Sequence, residues 1–187
     1  METKSNSKSD VIMAGLGGMG VLMAGKILAL AVLEKYKYVS WFPSYGVEKR
    51  GGLCDCTVLF SNNEISSPLL DQSQTVIVFT GSQFASFESR VLPGGIIVTD
   101  STDYKDDRKR TDYELVKIPA IDLAVDSKVG LQSSNMILLG AYVGITDSVP
   151  NKLVEDELKR KFAGKEKILK LNQDAFQIGI EYIKKHK

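Results

Sequence analysis

Histidine is nearly missing from this chain: His186, next to the last of 187 residues, is the only one. A lone terminal imidazole argues against Ser-His-Asp and Cys-His catalysis and against histidine-rich metal sites. Cysteine is almost as scarce. Cys54 and Cys56 are the only two, half the number a four-thiolate zinc site or iron–sulfur cluster needs. One residue apart in an apolar run, they share a face if the run is a strand, and read as buried reduced thiols. Charge of one sign is lacking as well. The formal net charge is +1, which gives no footprint for nucleic acid or an anionic membrane. No apolar run approaches the roughly 18 residues of a membrane span. The opening METKSNSKSD has no apolar signal-peptide core, so residues 1–9 read as a disordered lead-in and a cytoplasmic location is expected. A chain so poor in catalytic residue types is expected to hold no catalytic residue and no metal, and to do little chemistry alone.

What is present is a regular alternation. Asp10–Ala14 is a short apolar strand, and Val21–Lys35 carries an apolar helical stripe through Val21, Leu22, Ala24, Leu28, Val32 and Leu33. Tyr38–Phe42 is aromatic and β-branched, a second strand that Pro43 is expected to stop. Leu53–Phe60 reads as a strand, with a turn at Ser61–Glu64 and a return beginning near Ile65. Thr75–Thr80 and Ile96–Thr99 are buried strands separated by a helix near Gln83–Arg90, and Glu114–Ile118 is a last short strand. Asp103–Asp112 is charged enough to read as a solvated loop. Helices follow over Ala120–Asp126, Asn135–Ile145, Asn151–Phe162 and Asn172–Lys185. This order predicts an α/β, Rossmann-like, doubly wound fold: a mostly parallel sheet, helices on both faces, and a local antiparallel insertion at Leu53–Phe60. With no repeat or long linker, residues 10–187 read as one domain.

Two segments carry the functional signal. Gly15-Leu16-Gly17-Gly18-Met19-Gly20 satisfies G-x-G-x-x-G between a strand and an apolar helix. Its amides at the start of that helix suit a phosphate or carboxylate. A dinucleotide would also want an acidic residue at the end of the second strand, where this chain has Trp41-Phe42-Pro43-Ser44. A packing turn with an anion site is therefore favoured over a nicotinamide or flavin site. The second segment, Ser44-Tyr45-Gly46-Val47-Glu48-Lys49-Arg50-Gly51-Gly52, leaves the same sheet edge and offers a hydroxyl, a carboxylate and a guanidinium for an anionic ligand or a partner.

Together these segments resemble the gamma subunit of the 2-oxoacid:ferredoxin oxidoreductases. The resemblance rests on Gly15–Gly20, on Trp41–Gly52 (WFPSYGVEKRGG), and on Ser66-Ser-Pro68, Leu92-Pro-Gly-Gly95, Ile118-Pro-Ala120 and Asn135-Met-Ile-Leu-Leu-Gly-Ala141. The family's loop commonly has glutamine where this chain has Met19; Val47 and Lys49 are also variants. The resemblance implies a subunit of a complex that oxidatively decarboxylates a 2-oxoacid, makes an acyl-coenzyme A and reduces ferredoxin. Thiamine diphosphate and the iron–sulfur clusters would belong to alpha, beta and ferredoxin-like delta partners, with none held firmly by this chain. Gly15, Gly17, Gly18, Gly20, Ser44, Tyr45, Glu48 and Arg50 would then border the coenzyme A region or a subunit interface. Among the family's branches the WFPSYG-x-E-x-RGG loop looks most like the 2-oxoglutarate type, with the pyruvate, branched-chain and aryl 2-oxoacid types left open. The competing expectation is a stand-alone oxidoreductase that binds NAD(P) or flavin.

Overall fold

A computed structural model describes residues 8–45 and 52–186 of the chain. Twelve elements carry the fold: β1 (Lys8–Leu16), α1 (Val21–Val32), β2 (Tyr38–Tyr45), β3 (Leu53–Ser61), β4 (Ser73–Val78), α2 (Phe84–Phe87), β5 (Val91–Asp100), β6 (Glu114–Ile118), α3 (Ala120–Asp126), α4 (Ser134–Thr146), α5 (Asn151–Lys161) and α6 (Glu166–His186). The strands form one sheet in the order β2-β3-β1-β4-β5-β6. β1, β4, β5 and β6 run parallel, and β3 lies antiparallel between β1 and β2. The expected mixed α/β sheet is therefore present, and the antiparallel element is a nine-residue strand inside it. No helix among the described residues is long and apolar enough to cross a membrane.

Alternating side chains divide the core between the two faces of the sheet. Val11 and Met13 of β1, Val58 and Phe60 of β3 and Ile77 of β4 face α1 and the helices α3 to α6. Ile12 and Ala14, with Val76 and Val78, face Phe84 and Phe87 of α2 on the other side. α4 is buried along Ser134–Val143 because it lies between the sheet and α6. Its contact with α6 is close: a side chain at Gly140 would meet the Phe176 carbonyl, and one at Gly179 would meet the Ile137 carbonyl.

Several expected boundaries move for identifiable reasons. β2 runs through Pro43 to Tyr45 instead of stopping there. It is an edge strand, so a residue without an N–H is tolerated on its unpaired side. β1 begins at Lys8, inside the expected lead-in, where Lys8 pairs with Ser61. No strand forms at Ile65, and α6 starts at Glu166, earlier than expected. The charged stretch is anchored as well as solvated: buried Glu88 accepts from the Lys109 and Arg110 amides at 3.0 Å and from the Tyr113 hydroxyl at 2.8 Å.

Candidate functional site

β1 enters the glycine turn at Leu16, whose carbonyl accepts the Met19 N–H at 3.2 Å. Gly18 and Gly20 take φ of 99° and 75°, a region open to glycine and costly for other residues. Gly20 caps α1 without a side-chain hydrogen bond, and its carbonyl accepts both the Ala24 N–H at 3.0 Å and Asn135 Nδ2 at 3.2 Å. A side chain at Gly20 would run into the Asn135 amide. The first helical amides, on Val21, Leu22 and Met23, have no acceptor within α1. The first turn contains no acidic residue to compete for them. Peptide dipoles add positive potential at this end, which makes it electrostatically suited to an anion.

The second segment returns to the same place. β2 runs parallel to β1, because each is antiparallel to β3, so Tyr45 finishes at the edge where β1 finishes. Gly15, Cys54 and Tyr45 form one row across the three strands, and the Gly17 N–H donates to the Gly52 carbonyl at 2.9 Å. The Gly52 flank of the loop thus meets the glycine turn, and the Tyr45 flank lies one strand beyond it across β3. Of the expected site residues, Gly15 is buried against Phe79 and Val21, Gly17 and Gly18 are exposed, and Gly20 is half-buried. Ser44 is exposed on β2 opposite Asp55. Glu48 and Arg50 lie outside the described residues.

Between β1 and β4 the chain's connections depart to opposite sides, α1 to one face and α2 to the other. Such a switch point leaves a crevice beyond the carboxyl ends of the strands. Here the Phe79 N–H bonds the Ala14 carbonyl at 2.8 Å, and Thr80 follows directly. Among the described residues, Thr80 Oγ1 and Asn135 Oδ1 are buried polar atoms at this end of the molecule without a hydrogen-bond partner. Asp100 at the end of β5 is committed elsewhere, accepting the Thr102 amide at 2.9 Å and the Ile121 amide at 3.0 Å. Sequence reasoning missed Thr80, which has no local pattern. It included Asn135 only as part of a motif.

Burial dominates the titration of the groups nearby. Burial pushes the Asp55 carboxyl up, partly offset by Arg90 at 3.8 Å and by the Ser44 hydroxyl. Burial also pushes the Cys56 thiol up to about 12; the Trp41 indole opposes this, while Asp55 and Cys54 add to it. Cys54 is raised by burial and by Asp55. Neither thiol is poised as a thiolate nucleophile or ligand. Among the described residues no three His, Cys, Asp or Glu side chains gather as a metal site.

The model of the pyruvate ferredoxin/flavodoxin oxidoreductases matches residues 10–182. The chain is 32% identical over 178 residues to the ketoisovalerate oxidoreductase subunit VorA of Methanothermobacter marburgensis, covering 94% of this chain and 37% of that protein. It thus spans little more than a third of that relative's length. To the 2-oxoglutarate synthase subunit KorC of the same organism it is 28% identical over 184 residues, covering 94% of this chain and 97% of the other. In three dimensions it is similar to a keto/oxoacid ferredoxin oxidoreductase gamma subunit from Geobacter sulfurreducens. That likeness has a TM-score of 0.80 at 25% identity and covers 95% and 97% of the two chains.

Proposed function

The chain belongs to the pyruvate ferredoxin/flavodoxin oxidoreductase family, and from that premise we propose that it is the gamma subunit of a cytoplasmic 2-oxoacid:ferredoxin oxidoreductase. The complex would convert a 2-oxoacid, coenzyme A and oxidised ferredoxin to acyl-coenzyme A, carbon dioxide and reduced ferredoxin. This chain would contribute no reacting group. It would border the coenzyme A site and hold the assembly, while alpha, beta and delta partners supply thiamine diphosphate and the iron–sulfur clusters.

The observation that carries this reading is the Gly17–Gly52 hydrogen bond, which ties both family motifs to one sheet edge beside the open amides of α1. A phosphate of coenzyme A suits those amides. The interface role fits the exposed positions of Gly17, Gly18 and Ser44 on that same edge.

The rival stand-alone dinucleotide enzyme is disfavoured by β3. Its insertion moves the end of β2 two strand spacings from β1, about 10 Å, where an acidic residue would no longer reach the ribose. Within the 2-oxoacid class, the WFPSYG-x-E-x-RGG loop favours 2-oxoglutarate, whereas the identity to the VorA subunit favours a branched-chain acid. The ratio of kcat/KM for 2-oxoglutarate and ketoisovalerate, measured on the complex, decides between them.

Co-expression with the alpha, beta and ferredoxin-like chains provides the test. The expected result is one co-eluting complex with thiamine diphosphate, iron and 2-oxoacid- and coenzyme A-dependent reduction of ferredoxin. A chain that stays alone and binds NAD(P) or flavin saturably would overturn the proposal.

A further inference from the structure

Leu92-Pro93-Gly94-Gly95 lies at the amino ends of the parallel strands, the edge opposite the glycine turn, and takes no part in the coenzyme A reading. There it borders a cavity of about 790 Å³, within the size range of small-molecule sites. The wall also includes Asp10 on β1, Thr75 on β4, and Thr146 and Ser148 at and just past the end of α4. Asp10 is only 8% exposed. Its Oδ1 accepts the Gln74 N–H at 2.7 Å. Among the described residues no donor bonds its Oδ2 and no cation pairs with the carboxylate, and Oδ2 is not sealed from solvent. A carboxylate has room for about four hydrogen bonds and is costly to bury without a partner. The last carbonyls of α4 add negative potential at the same wall. Lys35 does not line the cavity; its Nζ donates to the Ser148 carbonyl at 2.9 Å.

We propose that this cavity binds a small aliphatic amine as its ammonium ion, the ammonium on Asp10 and the hydrocarbon part against Leu92, Ile96 and Ile145. An ammonium brings three donors and a positive charge, and the carboxylate lacks both. The Thr75 hydroxyl, on the strand beside β1, is a further acceptor in the same wall. Other ligand classes fit less well. An anion meets the Asp10 charge and the carbonyl end of α4. A divalent metal needs more oxygen ligands, and among the described residues no three His, Cys, Asp or Glu side chains gather. A polyol leaves three aliphatic side chains against water. At the rim Gly94 and Gly95 carry no side chain to narrow the mouth. The site stands at the opposite edge from the glycine turn, so it holds whether or not coenzyme A binds there.

The experiment titrates the nitrogen-15-labelled full chain with n-pentylammonium, 1-pentanol and pentanoate at matched ionic strength and follows the backbone amide resonances. Pentylammonium is expected to move the Ser9, Thr75 and Gly95 amides saturably. The uncharged alcohol should bind at least about tenfold more weakly, and the carboxylate not at all. Asn at position 10 keeps an acceptor for the Gln74 N–H but removes the charge, so Asp10→Asn should raise the Kd for pentylammonium about tenfold and leave 1-pentanol unchanged. Gln74→Lys, at an exposed position on the cavity wall, supplies an internal ammonium and should weaken pentylammonium in the same way. That second variant decides the matter if Asp10→Asn fails to fold. Equal binding of amine and alcohol, or a Kd that neither variant changes, overturns the proposal. A further titration uses the assembled complex and ligand-observed saturation transfer. Loss of pentylammonium binding on assembly also overturns the proposal, because a partner subunit then fills the cavity.

Discussion

Gly20 is the most tightly constrained residue of the glycine turn. Its φ of 75° disfavours any side chain, and the Asn135 amide occupies the space a Cβ would need. Gly20→Ala is therefore expected to cost about 2–3 kcal/mol, measured as a lower midpoint in urea unfolding. Glu88 sets a pH dependence. Burial raises its carboxyl, but the Tyr113 hydroxyl and the Lys109 and Arg110 amides outweigh that, leaving the group below its ordinary value. A carboxyl depressed in the folded state stabilises above its unfolded value, about 4.3. That contribution is lost as the pH falls through the lower folded value. Glu88→Gln should thus lower Tm at pH 7, with the gap to the wild type closing toward pH 3. The cysteines offer a third check. At pH 8 iodoacetamide should label half-buried Cys54 slowly, and Cys56 only after unfolding, as read by peptide mass.

At the scale of elements, the α4–α6 contact depends on two reciprocal glycines. A methyl at Gly179 would press on the Ile137 carbonyl and the Ala141 amide, and one at Gly140 on the Phe176 carbonyl. Backbone cannot move aside as a flexible side chain can. Gly179→Ala is expected to destabilise the fold by about 2–3 kcal/mol, visible as a drop in thermal midpoint, whereas Ala163→Gly on the exposed surface should change little. α1 with β1 was legible because a short apolar run, glycines and a 3.6-residue stripe each have a local signature. The ends of β2 and β5 were not, since strand limits depend on pairing. Pro43 stays in β2 only because the sheet leaves that strand at an edge. The Val91–Gly95 start of β5 lies across a register shift, Ser73 pairing with Val91 and Thr75 with Ile96. Anchoring of the charged stretch by Glu88 joins residues more than twenty positions apart and leaves no local pattern.

For the whole molecule, the shared edge of the two candidate segments could be read from the strand–turn–helix order, because parallel sheets collect their loops at one edge. The meeting of the two motifs was expected from the direction of β2; the Gly17–Gly52 hydrogen bond that joins them was not. Thr80 and Asn135 were hidden for a simpler reason: an unsatisfied atom is a property of packing, and no spacing in the sequence encodes it. The order of the strands also bears on the birth of the fold during synthesis. β1 is made first, yet the neighbour on one of its sides, β3, follows only after α1 and β2 have been completed. β3 completes the sheet between β1 and β2, and its pairing with β1 fixes contacts up to fifty-three residues apart, Lys8 with Ser61. Such a pairing is slow relative to a local hairpin. Once Ser61 has left the ribosome, however, β2-β3-β1 can form a three-stranded platform, onto which β4, β5 and β6 add in the order in which they are made.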